Sequence, residues 1–362
     1  MVNFTILEKK PNYLKFEIID SDTSLVNAIR RICWSEINFV SVDPNSVDEG
    51  IEVNTSPLHN QFIGKRFVLL PCNINPKNYQ EYEIQIHDDK DPNEPLVNID
   101  DVYHKIYSDD FKIYRNNKLV NEKPFIGNSL IFALKPGQKF KCRFKLSYNN
   151  VRNGFKYNKE NGSNWCPVSQ VGYKYKTKKD ITGEHQLVDD ERNYIGIEHN
   201  KPTDFIFQIE TIGSDYYTPQ IVINMALNIL IDKLDLTENS IKKILKGEST
   251  YYMSIDKSTT IDKLTKFIFH GDDTIEHPGE NHTLGNLLSF HTNEMQNTLG
   301  ESRDNFVGYK QLHQLLPDME LHIKNDSKKI KISEEELLLQ VIKDLKNTIK
   351  KSISNFNKHF TS

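Results

Sequence analysis

Hydrophobic positions alternate at the start of the chain and then change period. Phe4 and Ile6 share one face of a strand, Lys9-Lys10-Pro11-Asn12 turns, and Leu14, Phe16 and Ile18 share one face of a second strand, which predicts a hairpin. From Leu25 the spacing becomes three and four. Leu25, Ala28, Ile29, Ile32 and Cys33 line one side of a helix that Asp22 or Thr23 can cap. Arg30 and Arg31 stand beside that stripe. Two adjacent guanidinium groups suit an acidic surface or a phosphate, and a solvated helix face is the alternative.

Between about Val42 and Pro202 the texture changes to short strands separated by Pro, Asn and Asp clusters. Leu58–Leu70 reads as helical. Lys139–Leu146 alternates without a break, which predicts a half-buried strand with a basic outer face. Asp88–Pro95 and Asn149–Gly162 read as loops, and Lys174, Lys176, Lys178 and Lys179 form a small basic patch.

Phe205, Phe207 and Ile209 restart a strand, and Thr218-Pro219 places a cap before a proline at the first helical position. The helix that follows carries Ile223, Leu227, Leu230 and Leu234, widened by Val222, Ala226 and Ile229, so it must be buried on more than one side. Gly247–Asp262 is polar and reads as a linker. Beyond it come a strand at Phe267 and Phe269, a helix start at Asn281–Leu288, a strand at Met319, Leu321 and Ile323, and a terminal helix. Ser333 and Glu336 make a capping box there, Glu334 and Glu335 load the first turn, and Lys346, Lys350 and Lys351 lie toward the other end. Leu338, Ile342, Leu345, Ile349, Ile353, Phe356 and Phe360 form a seam of about 30 Å at 1.5 Å per residue. Such a seam needs a partner, and the Ile223–Leu234 helix is the obvious one.

The Asn281–Leu288 stretch has Thr283 as a cap, Leu284, Leu287 and Leu288 on one face, and two poor helix formers, Gly285 and Asn286. Thr23–Arg31 echoes it, since both read Leu-x-Asn-x-(Ile/Leu) after a short strand. From Asn27 to Pro219 is 192 residues, while Asn286 to the equivalent start at Ser333 is 47, an excess of 145. That excess is close to the length of the Val42–Pro202 region. The chain therefore reads as α+β, with two related strand–helix–strand–helix halves, the first interrupted by a mostly β inserted domain, and the halves paired through their long helices. The expected domains are residues 1–41 with 203–246, an insert over 42–202, a linker over 247–262, and 263–362.

Composition adds exclusions. A length of 362 residues, 37% hydrophobic and 27% charged, fits a soluble chain of two or three domains, and no apolar run approaches a membrane span. No signal peptide is read at the N-terminus. A net charge of −4 offers no electrostatic reason to coat nucleic acid, and Cys33, Cys72, Cys142 and Cys166 lie too far apart for a zinc site or disulfide framework. His277 and His282 lack an accompanying acidic ligand spacing, and Gly279 and Gly285 do not make a phosphate loop. The acidic pairs Asp88-Asp89, Asp100-Asp101 and Asp272-Asp273 lie in turn-like text. No enzyme motif emerges, and a nucleic-acid binder using the Lys174–Lys179 patch is the remaining rival.

Ser24–Glu36 resembles the Asn-Ala-Leu-Arg-Arg helix of the alpha-type subunits of multisubunit RNA polymerases, and Asn54–Leu58 through Phe62–Arg66 to Pro71 is similar to their inserted domain, with Gly64-Lys65 departing from the usual Ala-His. Leu134–Gln138, Trp165–Val168 and Phe207–Ser214 resemble further segments. His282–Leu288 and Val307–Lys310 with His313 resemble the small alpha-like partner, so both partners lie on one polypeptide, as in the fused subunit of some large cytoplasmic DNA viruses. The resemblance implies two alpha-type dimerisation modules forming an intramolecular pseudo-dimer. It implies an assembly platform without catalytic residues or cofactors that meets the two largest subunits and one or more small ones, and nucleic acid only through the complex. Location follows from it as intracellular: host cytoplasm and virion for a viral source, otherwise nuclear or cytoplasmic with the polymerase. The cysteine-rich zinc loop of cellular relatives is missing, so no metal is carried over. By resemblance Arg30, Arg31, Glu36 and Arg66 face a large subunit. Leu25, Asn27, Ile29, Leu227, Leu230, Leu234, Leu284, Gly285, Asn286, Leu287, Leu338, Ile342, Leu345 and Ile349 serve dimerisation. Asn27 and Asn286 would bond neighbouring backbone near the pseudo-twofold contact, and Gly285 would allow close approach; capping and packing are the alternative.

Overall fold

The computed structural model describes residues 3–89, 103–152, 165–177, 194, 197–198, 201–257, 264–271, 279–311, 313, 316–326 and 328–359. Strands β1 (Asn3–Lys10) and β2 (Tyr13–Ile19) form the expected hairpin, with Phe4 opposite Ile18 and Ile6 opposite Phe16, and lead into helix α1 (Thr23–Ser35). There follow β3 (Phe39–Val42), α2 (Pro44–Gly50), β4 (Ile51–Asn54), α3 (Asn60–Val68), β5 (Tyr82–Asp89), β6 (His104–Tyr107), β7 (Lys112–Arg115), β8 (Lys118–Val120), β9 (Leu130–Leu134) and β10 (Lys139–Asn149). Next come β11 (Val168–Tyr175), the short pair β12 (Ile197–Glu198) and β13 (Lys201–Pro202), β14 (Phe205–Thr211) and α4 (Pro219–Leu245). The chain ends with β15 (Met253–Lys257), β16 (Thr265–Phe269), α5 (His282–Gly300), β17 (Phe306–Gln311), β18 (Met319–Lys324) and α6 (Glu334–Lys358). Two compact units result: residues 1–33, 170–210 and 222–362, and residues 34–169 with 211–221.

The first unit holds two sheets of identical topology. One runs β1-β2-β14-β11 and the other β15-β16-β18-β17, so each module is two strands, a helix, two strands and a helix. This moves two expected boundaries. Strand β11, expected inside an insert over 42–202, belongs to the first module's sheet, and Met253–Lys257, expected inside a linker over 247–262, is the first strand of the second module. Polar, lysine-containing strands at a sheet edge read as loop text because edge strands carry few apolar residues. Asp88 and Asp89, expected in a loop, end β5, and Asn149 ends β10. Gly247, at φ +84°, closes α4, with its N–H on the Ile244 carbonyl and that of Glu248 on the Lys243 carbonyl.

The helices repeat position by position. Adding 115 carries Val222, Ile223, Ala226, Leu227, Leu230, Leu234, Thr237 and Ile241 of α4 onto Leu337, Leu338, Val341, Ile342, Leu345, Ile349, Ser352 and Phe356 of α6, and all sixteen are buried. Thr237 and Ser352 share even their hydrogen bond, each hydroxyl donating to the carbonyl four residues back at 2.8 Å. Adding 259 carries Ser24, Leu25, Val26, Ala28, Ile29 and Cys33 of α1 onto Thr283, Leu284, Gly285, Leu287, Leu288 and Thr292 of α5, again all buried. The capping box at Ser333 and Glu336 forms as expected, and Phe360 of the expected seam lies outside the described residues.

The second unit is built on the sheet β3-β10-β5-β7-β8, with β4 also paired to β10, and a two-stranded sheet of β6 and β9. Strand β10 buries Phe140, Cys142, Phe144 and Leu146 and exposes Lys139, Lys141, Arg143 and Lys145, the predicted alternation. Phe67 of α3 packs on Phe144 with ring centroids 5.1 Å apart, and Phe132 on Phe140 at 4.6 Å. Glu52 pairs with Lys141 and Arg143 on the outer face at 2.5 and 2.7 Å.

Candidate assembly interface

The paired arginines divide. Arg31 Nε donates to Thr283 Oγ1 at 2.9 Å, so this side chain joins α1 of the first module to α5 of the second. Arg30 Nε donates to Asn27 Oδ1 at 3.0 Å one turn back and stays half-buried. The bond observed at Asn27 thus goes to a guanidinium rather than to neighbouring backbone. In the second unit Glu36 is buried and lies 3.4 Å from the half-buried Arg152, while the exposed Arg66 donates to the Ile131 carbonyl. All four residues expected to meet a large subunit have partners inside the chain; Glu36 is buried, Arg30 and Arg31 are half-buried, and Arg66 is exposed.

The second helix start is capped differently from expectation. Asn281, not Thr283, is the cap, its side chain accepting from the Thr283 N–H at 2.8 Å, which leaves the Thr283 hydroxyl for Arg31. Its counterpart Asp22 caps α1 by accepting the Leu25 N–H at 3.0 Å, and its second oxygen lies 3.2 Å from His291 Nε2 of α5. Burial pushes the Asp22 carboxyl up, but hydrogen bonds and charge from His291, with bonds from Ser24 and the Leu25 N–H, outweigh it and hold it below the usual carboxylate range. A carboxyl lowered on folding stabilises above its unfolded value and loses that contribution as pH falls through the folded one. The stability difference between wild type and Asp22→Asn is thus expected to shrink as pH falls through and below about 4. Urea unfolding at stepped pH measures it, and a difference independent of pH would sink the assignment.

The long helices run antiparallel and are joined by polar groups. Asn224 Nδ2 of α4 donates to Asn357 Oδ1 of α6 at 2.8 Å, and Lys346 of α6 meets both Asp235 and Glu238 of α4, the latter at 2.6 Å. Burial opposes the charge on Lys346, and the two carboxylates outweigh it and raise the ammonium above its usual range. Lys233 of α4 lies 2.8 Å from Glu280, which also accepts from the Tyr252 hydroxyl at 3.2 Å. Tyr252 in turn shares a hydrogen bond with Thr237 at 3.3 Å. Apolar packing completes the join: Phe356 of α6 meets Phe4 and Phe16 of the first hairpin at centroid distances of 5.4 and 5.6 Å. Leu25, Ile29, Leu227, Leu230, Leu234, Leu284, Gly285, Leu287, Leu338, Ile342, Leu345 and Ile349 are all buried in this unit, and Asn27 and Asn286 are half-buried. Sequence reasoning missed Asp22–His291, Lys233–Glu280 and the pairing role of Lys346. The available signal was a polar residue seated in an apolar stripe, Lys233 before Leu234 and Lys346 after Leu345.

Residues 15–234 match the RNA polymerase Rpb3/Rpb11 dimerisation domain, and residues 273–355 match a second description of the same domain. The chain belongs to the Rpb3/Rpb11 dimerisation-domain family. It carries two such domains on one polypeptide, and they correspond to the two modules, the first interrupted between α1 and β11. It is similar to DNA-directed RNA polymerase subunit Rpo3 of Thermococcus kodakarensis, 25% identical over 279 residues that cover 67% of this chain and 99% of that one. It is also similar to DNA-directed RNA polymerases I and III subunit rpac1 of Dictyostelium discoideum, 23% identical over 66% of this chain and 82% of that one. The highest of these identities, 42%, is to DNA-directed RNA polymerases II, IV and V subunit 3 of Arabidopsis thaliana, over 66 residues. The chain spans about a fifth of that plant relative's length, 19%.

Within this Rpb3/Rpb11-type unit the expected basic patch is thinner than its sequence. Lys176 pairs with Glu17 of β2 at 2.8 Å, Lys174 is exposed, and Lys178 and Lys179 lie outside the described residues, as do His277, Asp100-Asp101 and Asp272-Asp273. Among the described residues no group of three His, Cys, Asp or Glu is placed to hold a metal, and no helix is long and apolar enough to cross a membrane. Burial pushes the Cys142 thiol to about 12 and Cys166 to about 11, so neither is a thiolate at neutral pH.

Proposed function

We propose that the chain is a non-catalytic assembly subunit of a DNA-dependent RNA polymerase, one polypeptide that supplies both halves of the alpha-like pair and holds the two largest subunits. The observation that carries this reading is the pair of identically wound modules joined by side chains of both. A preformed pair presents two unlike outer faces to two unlike large chains without first paying association entropy. Arg30, half-buried and held by Asn27, supports a face for a carboxylate-bearing partner, since a pre-oriented guanidinium binds bidentately at lower cost. In the inserted unit Phe62 of α3 is 69% exposed and Leu69, just after the helix, 54%, flanking Lys65 and Arg66, a mixed apolar and basic face of the kind that protein partners cover. The proposed location is intracellular, with the polymerase.

Affinity purification tests the reading: two very large chains are expected to co-purify, and recovery of the chain alone would overturn it. Arg30→Ala is expected to lower large-chain recovery about tenfold, the loss of one charge-assisted contact, with thermal stability unchanged. Arg31→Ala is expected to lower stability instead, because it removes the bond to Thr283. Equal recovery of large chains by the Arg30→Ala protein would remove that residue from the interface.

A further inference from the structure

The polar contacts that join the two modules are one-sided. A two-fold relation exchanges each residue with its counterpart, 115 positions on between α4 and α6 and 259 between α1 and α5. The counterpart of Lys346 is Ile231, and the counterparts of Asp235 and Glu238 are Lys350 and Ile353. The Lys346 cluster is therefore made once, and its mirror-related position holds no opposite charges. Lys233 and Glu280 behave alike, for their counterparts are Thr348 and Ser21; Asp22 and His291 have Asn281 and Ile32.

We propose that these pairs, Lys346 with Asp235 and Glu238 foremost, select unlike modules over like ones, so that a first module takes a second module and refuses another first. Two first modules would set Asp235 and Glu238 against Ile231, so both carboxylates would lose the Lys346 ammonium. Two second modules would set Lys346 against Lys350 and Ile353 and leave the buried Glu280 facing Thr348. The second-module pairing thus buries a charge that has lost its partner, a costly arrangement in a protein interior, and the first-module pairing forfeits the Lys346 contacts and leaves Glu238 only its own Lys242. Arg31–Thr283 does not disfavour a pair of first modules, because Ser24, the counterpart of Thr283, offers the same hydroxyl, and it is lost without burying a charge in a pair of second modules, where Phe290 stands for Arg31. The burial pattern of the apolar stripes does not discriminate, since α4 and α6 are buried at the same eight matching positions, although Phe356 stands where the first module has Ile241. One-sided charges are the device by which near-identical apolar faces are told apart.

The tether masks the choice, so the full chain is cut at a protease site placed in the exposed Gly247-Glu248-Ser249 turn. The pieces are exchanged in mild denaturant, returned to buffer and counted by native mass spectrometry. The unaltered protein is expected to return as one-to-one pairs, with like pairs below about a tenth. Lys346→Glu inverts the preference: it repels Asp235 and Glu238 and faces Lys350 in a second-module pair, so that pair is expected to rise at least about tenfold. Adding Asp235→Lys and Glu238→Lys to Lys346→Glu restores one-to-one pairs, which also covers the case in which the single variant aggregates. A statistical mixture from the unaltered protein, no rise in second-module pairs with Lys346→Glu, or no restoration by the swapped charges would each overturn the proposal. It rests on the polymerase-subunit reading only for treating the modules as a functional pair. Because the isolated chain is measured, correct pairing without large-subunit recovery defeats that reading alone, and recovery with indiscriminate pairing defeats this one alone.

Discussion

Phe356→Ala is expected to lower the unfolding free energy by about 3–5 kcal/mol, the range for emptying a buried aromatic site. Phe356 is 1% exposed and stands at the end of α6, where its ring is met by Phe4 and Phe16 of the other module. The cavity would open between elements of two modules, which have no covalent reason to collapse on it. Phe356→Leu keeps most of the volume and is expected to recover more than half of the loss. Urea unfolding measures both, and a loss below about 1 kcal/mol with Ala would show that the aromatic contact is not a principal join.

Gly285→Val is the second large effect, at about 3 kcal/mol or more. A Cβ at Gly285 would sit 2.6 Å from the Tyr309 ring and 2.6 Å from Met319 Sδ, with Met319 fully buried. The helix must then lift from β17 and β18, and overpacking of that kind outweighs the roughly 1 kcal/mol that replacing glycine in a helix returns. Lifting α5 also withdraws Thr283 from Arg31, so the variant is expected to loosen the module pair along with its own sheet. Thermal unfolding checks the first effect and protease sensitivity of the Gly247–Ser249 turn the second. A Gly285→Val protein as stable as wild type would contradict the packing.

The inserted unit and the two modules explain why one match, over residues 15–234, spans a long interruption and the other, over 273–355, does not. The rival binder reading loses Lys176 to Glu17, an ion pair across β2 and its neighbours that the charge count along the sequence could not reveal.

What the chain by itself determined is local and periodic. Alternation in Phe4–Ile18 made the hairpin, three-and-four spacing made α1, α4, α5 and α6, and Ser333 with Glu336 made the last cap, because each depends on residues within one or two turns of one another. The repeat was legible for the same reason, as two copies of one local pattern. Its boundaries were not. Strands β11 and β15 are polar edge strands, and only pairing to β14 and β16 identifies them. Nor could periodicity show that Gly285 faces Tyr309, that Asn281 takes the cap from Thr283, or that Arg31 reaches across to Thr283 while Arg30 bonds Asn27 on its own helix. Lys346 and Glu238 are 108 residues apart and Arg31 and Thr283 252 apart, so which polar groups meet was decided by how the modules pack, since burial leaves a charge only those partners that packing places beside it.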